Sequence, residues 1–140
     1  MKEIHISTHD HKVLSKLIRE HSLLIGKTPE NLLKLQQELN RATILPPEAM
    51  PTGTVGLNAA FSIRDIESGE LEQWTLTLPE HADVEQRRLS ILAPIGTAVL
   101  GFREGDEIEW STPGGTRVLM LETVEPGAFV APNIFSKLFA

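Results

Sequence analysis

Ser90-Ile91-Leu92-Ala93-Pro94-Ile95-Gly96-Thr97-Ala98-Val99-Leu100-Gly101 is the stretch on which the fold turns. Small and apolar residues after a proline, closed by a glycine, predict one short buried helix. Pro94 and Gly96 shape the turn that leads into it. On both sides of this stretch the apolar residues recur with the two-residue period of strands.

Downstream, Asp106-Glu107-Ile108-Glu109-Trp110-Ser111 and residues 116–124 flank Thr112-Pro113-Gly114-Gly115, whose composition signals a hairpin. Upstream, Val55-Gly56-Leu57-Asn58-Ala59-Ala60-Phe61-Ser62-Ile63 alternates and runs into a second turn, Asp65-Ile66-Glu67-Ser68-Gly69-Glu70. Residues 71–78 alternate around Trp74, Leu76 and Leu78, and residues 89–92 form a further short apolar run. The expectation is an antiparallel sheet of about five strands with one packed helix, fold class α+β, over residues 54–125.

Residues 46–53 hold three prolines and cannot continue a helix, so they read as a linker. Residues 1–45 have a different period. Ser7 or Thr8 can cap a first helix, with Asp10 as a capping-box candidate, and Val13, Leu14, Leu17 and Ile18 share one face. A break over residues 22–28 contains Gly26, and Thr28-Pro29 starts a second helix carrying Leu32, Leu35, Leu39 and Ala42 at spacings of three and four. The result is a short antiparallel helical hairpin with arms of about 22 Å. Its tip is Ser22-Leu23-Leu24-Ile25-Gly26-Lys27-Thr28.

Charge is unevenly spread in a chain of net −6. Residues 1–45 carry seven Lys/Arg against five acids, and the remainder six against fourteen. So acidic a body repels phosphate backbones, which argues against direct nucleic-acid binding and for a protein partner with a basic patch, although acidity also serves solubility alone. Cysteine is absent, which removes disulfides, thiolate metal sites and cysteine nucleophiles. Neither a signal peptide nor a long apolar run is present, and the chain reads as soluble and cytoplasmic.

The ordered set from Ser90 to Gly101, then Gly105-Asp106, then Thr112-Pro113-Gly114-Gly115 resembles the C-terminal domain of the Gre transcript-cleavage factors. The resemblance covers about residues 53–125 and implies an FKBP-like α+β sheet. It also implies RNA polymerase as partner, gripped near the secondary channel through the loop Ala93, Pro94, Ile95 and Gly96. A tight turn would require the same residue types, so a purely structural role competes for all four positions. Ala93 stands where serine is common.

The first half sets this chain apart from Gre factors, whose long coiled coil carries tip carboxylates thought to hold magnesium. The tip residues Leu23, Leu24, Ile25 and Lys27 include no carboxylate, and Glu20 and Glu30 only flank them. A hard divalent cation needs oxygen ligands. The short helices and the run Leu39-Asn40-Arg41-Ala42 to Pro47-Glu48-Ala49-Met50-Pro51 resemble instead the Rnk branch of that superfamily, the regulators of nucleoside diphosphate kinase. The expectation is a non-enzymatic regulator without cofactor, metal or membrane contact. A true cleavage factor, or an interaction module for another partner such as a kinase-related protein, is the alternative.

Other features carry less. His5, His9 and His11 straddle a helix start and cannot share one face, so surface histidines are favoured over metal ligation. Glu107 and Glu109 alternate onto one strand face with no base or nucleophile near them. Phe61, Trp74, Phe102 and Trp110 are too few to line an isomerase pocket and fill the core as well. The tail, residues 126–140, holds Ile134, Phe135, Leu138 and Phe139, apolar enough to pack on its own domain or to self-associate.

Overall fold

The computed structural model describes residues 3–26 and 29–130. Strand β1 (His5–Ser7) leads into helix α1 (Thr8–Ile25), and helix α2 (Glu30–Arg41) returns to strand β2 (Thr43–Leu45). The sheet that follows is built from β3 (Ala60–Asp65), β4 (Leu71–Thr77), β5 (Arg88–Ser90), β6 (Glu107–Thr112) and β7 (Gly115–Glu125), with helix α3 (Pro94–Val99) between β5 and β6. Its strand order is β5-β4-β3-β7-β6. The expected α+β class, five strands and single packed helix are all present. The β4–β5 pairing departs from expectation in being parallel, Thr75 opposite Arg88 and Thr77 opposite Ser90. The chain reverses within residues 79–88, where Asp83 and Arg88 form their own bridge, and so re-enters the sheet edge in the direction of β4.

Both sequence-read turns form. Asp65 ties the first: its carboxylate accepts the N–H groups of Glu67 and Ser68, and Gly69 takes a left-handed φ of 77°. The second closes between Thr112 and Gly115, the last pair of the β6–β7 register. The opening strand starts later than its alternation predicts, at Ala60. Residues 55–59 instead run past the end of α3, Val55 N–H donating to Phe102 C=O, before Asn58 turns the chain at φ 69°.

The helical hairpin is firmly joined to the sheet. Ser7 caps α1, its hydroxyl accepting Asp10 N–H at 3.0 Å, but Asp10 does not complete a capping box: its carboxylate accepts the N–H of Leu57, 47 residues away, at 3.0 Å. The two short strands missed in the sequence, β1 and β2, pair in parallel across the base of the hairpin. On its other side β1 touches the sheet domain, His5 N–H donating to Gly101 C=O at 3.2 Å. Helix α1 continues to Ile25, so the tip break is shorter than expected and closes on Gly26 at φ 77°. At 18 residues the arm is about 27 Å long. One core runs through both halves, from Leu14, Leu32, Leu35 and Leu39 to Phe61, Leu76, Ile91 and Leu121. Phe61 and Phe102 are buried in it, and Trp74 and Trp110 pack against it half-buried.

Two arginine–carboxylate pairs brace the sheet across its central strand and first turn: Arg64 donates to Glu122, and Arg117 to Asp65. The Arg117 hydrogen bond, helped by the Ser68 and Glu67 N–H groups, holds the Asp65 carboxyl below its ordinary pKa. Arg64 does the same for Glu122. A carboxyl depressed by folding stabilises the fold above its unfolded pKa, and that contribution is lost as pH falls through the folded value. The melting temperature is therefore expected to hold between about pH 5 and 8 and to drop below about pH 4. Thermal melts across that range should show Asp65→Asn with a shallower acid slope; an unchanged slope would exclude the pair as a source of acid sensitivity.

Candidate protein-docking surface

The four loop residues singled out in the sequence have unequal access. Pro94 is exposed at the first position of α3, Ala93 and Ile95 are half-buried, and Gly96 is buried. Ala93 holds the N-cap position and supplies no side-chain hydrogen bond. The turn is held instead by its neighbours. Ser90 accepts Leu92 N–H on its hydroxyl at 3.0 Å and Ala93 N–H on its carbonyl at 3.0 Å, while the buried Thr97 hydroxyl donates to Ile91 C=O at 2.7 Å. Gly96 lies so close to this strand that a Cβ would stand 2.2 Å from Ser90 C=O. Gly96 and Ile95 thus serve the turn and the core, and Pro94 is the residue of the four that faces solvent.

Pro94 does not stand alone. A groove of about 720 Å³ lies between α2, α3 and β6. Lys34 and Gln37 of α2 form one side, Pro94 and Ala98 of α3 another, and Glu109 and Trp110 of β6 the third. Sequence spacing brought the loop and the hairpin no closer than neighbouring domains. The structure makes them two walls of one surface, because α2 packs against α3. The only advance signal was the polar face of α2 opposite its leucine seam.

At the hairpin tip, Leu23 is 77% and Leu24 85% exposed. Lys27 lies outside the described residues, as do Ile134, Phe135, Leu138 and Phe139, and the Ile25 side chain is not described either. Among the described residues no three His, Cys, Asp or Glu side chains converge as a metal site. His9 lies 3.2 Å from Asp10, and His5 3.5 Å from Glu3. No helix among the described residues is long and apolar enough to cross a membrane.

Residues 50–126 match the family described as transcription elongation factor GreA/GreB, C-terminal, and residues 2–45 match the Rnk N-terminus. The regulator of nucleoside diphosphate kinase of Escherichia coli K12 is 41% identical over 81 residues, 58% of this chain and 60% of that protein. A GreA of Desulfotalea psychrophila is 29% identical over 104 residues, 74% of this chain and 65% of that protein. The chain's matches thus span about 60% of the first relative's length. Among solved structures, a GreA/GreB elongation factor from Nitrosomonas europaea superposes with a TM-score of 0.71 at 33% identity, over 89% of this chain and 99% of that one.

Proposed function

The chain belongs to the GreA/GreB elongation-factor family through its C-terminal domain and carries an Rnk-type N-terminus, and from that premise we propose that it is a non-catalytic regulator which binds RNA polymerase near the secondary channel. The observation that carries this reading is the shared groove, in which the exposed Pro94 and the polar face of α2 line one continuous surface. A partner gripping the sheet domain at the α3 loop would meet the hairpin at the same time, so binding and placement of the finger are one event.

The tip argues for occupancy rather than chemistry. Leu23 and Leu24 are exposed where magnesium delivery would need carboxylates, and Glu20 and Glu30 sit on the flanks. Such a protein regulates by holding a place that a longer-armed factor would otherwise take. The alternative of a true cleavage factor has no side chain at the tip to support it. An interaction with a kinase-related protein rests on the name of relatives alone.

Capture on immobilised core RNA polymerase, in competition with a Gre factor, tests the proposal. Binding at micromolar protein, displacement by the Gre factor and no stimulation of transcript cleavage in stalled complexes are expected. Pro94→Lys should weaken capture about tenfold, because it sets a like charge against a partner with a basic patch, and at this exposed position it leaves the core untouched. Ile95→Asp is a poor probe because it would bury a charge against the core. Absence of capture would end this reading.

A further inference from the structure

One wall of the groove has unused hydrogen-bonding capacity. Strand β6 lies at the sheet edge, with β7 as its only neighbour in the strand order. Opposed residues in an antiparallel ladder alternate between pairs that exchange both backbone bonds and pairs that exchange none. Leu121 N–H donates to Asp106 C=O, which sets the phase of the ladder. Ile108, opposite Leu119, and Trp110, opposite Arg117, therefore spend their backbone groups on β7. Those of Glu107, Glu109 and Ser111 point away from the sheet. Val118 C=O agrees with this phase, since it turns to the other side of β7 and accepts Ile66 N–H. Among the described residues, the backbone groups of Glu107, Glu109 and Ser111 have no partner beyond the sheet. Glu109 and Ser111 are also groove residues, beside Trp110.

We propose that the free edge of β6 is a docking site for an extended, basic segment of the protein partner, added to the sheet as a sixth strand. This rests on the reading that the partner is RNA polymerase. Donors and acceptors repeating at strand spacing are matched by another extended backbone, which lies about 4.8 Å away. Glu109 and Ser111 line the same groove as Pro94, so the added strand and the loop contact would form one interface. The sign of the partner follows from the side chains. Glu107 and Glu109 are exposed along this edge, Glu30 is on the groove rim, and the nearby Glu38 is already paired with Arg41. These carboxylates repel nucleic-acid phosphates. They also disfavour two copies joining edge to edge, because Glu107 and Glu109 would meet their own counterparts across the new ladder. A segment with Lys or Arg at alternate positions satisfies both the backbone and the charge.

Amide hydrogen exchange, free and bound to core RNA polymerase, tests the edge directly. The Glu109 and Ser111 amides should exchange freely in the isolated chain and slow at least tenfold in the complex. Glu109→Pro removes an outward N–H and leaves every β6–β7 bond intact, and Glu109→Lys reverses the charge. Each should weaken polymerase binding about tenfold with an unchanged near-ultraviolet circular dichroism spectrum. If either variant fails to fold, the wild-type amide protection decides the matter. Binding of the wild type with unaltered amide rates overturns the docking site and leaves the polymerase reading standing. Lack of binding overturns both. Protection already present in the free chain also overturns the proposal: a dependence on protein concentration assigns the edge to a second copy, and independence assigns it to another segment of this chain.

Discussion

Gly96→Ala is expected to cost about 3 kcal/mol of stability and about 10 °C of melting temperature, the effect of forcing one extra carbon into a site with no give. A Cβ at this position would lie 2.2 Å from Ser90 C=O and 3.2 Å from Leu76 Cδ1. Neither neighbour can retreat cheaply. The Ser90 carbonyl already accepts Ala93 N–H, and Ser90 is the last residue paired with β4. Leu76 is wholly buried. Thermal and urea melts measure the loss. The same variant separates the two roles that the sequence left open at this glycine. On the proposed polymerase reading, a structural role predicts that whatever fraction stays folded binds as tightly as the wild type. A variant that melts normally yet fails to bind would show that Gly96 is a contact and that the steric account is wrong.

The parts of the fold that were legible in the sequence are those whose cause is local. Periods of two and of 3.6, the Pro-Gly and Asp-to-Gly turns and the proline-started helix each declare themselves within a few residues. Strands β4, β6 and β7, both turns, α2 and α3 accordingly lie close to where their patterns place them, whereas β3 begins only at Ala60, after the alternation that opens at Val55. What was missed depends on partners far along the chain. Strands β1 and β2 are three residues each, too short for a period to register, and they exist because each supplies the other's bonds. The parallel entry of β5 was unreadable because direction depends on how residues 79–88 fold back. Asp10 looked like half of a capping box, and nothing in residues 7–10 reveals that its carboxylate serves Leu57 instead.

The candidate site was legible in the same partial way. The run from Ala93 to Gly96 was identifiable as a turn that could face a partner, but burial divides it, leaving Pro94 outward and Gly96 inward. The tip leucines were readable as apolar residues where carboxylates were absent, and their exposure is what gives that observation weight. The groove was not readable. It comes from the packing of α2 on α3, and Lys34, Gln37 and Trp110 drew no notice as surface residues because their spacing in the sequence is unrelated to their proximity in space.

Gly101→Ala should destabilise the protein by about 3 kcal/mol, and the comparison with Gly105→Ala identifies the source. Both glycines have positive φ, 83° and 93°, so each alanine bears the left-handed backbone cost of about 1 kcal/mol. Gly105 has open space where its Cβ would go. At Gly101 the Cβ would lie 2.7 Å from Ile4 Cβ and 3.2 Å from His5 C=O, where the chain enters β1 and the hairpin joins the sheet. The remaining 2 kcal/mol or so is overlap against β1. It can be relieved only by lifting Ile4, which is fully buried, and by breaking the His5 N–H bond to Gly101 C=O. Faster exchange of the His5 amide should accompany the lower melting temperature. Equal losses in the two variants would mean that β1 does not press on Gly101 in solution. The finger would then not be held in register with the groove, and a single interface spanning α2, the α3 loop and β6 could not be sustained.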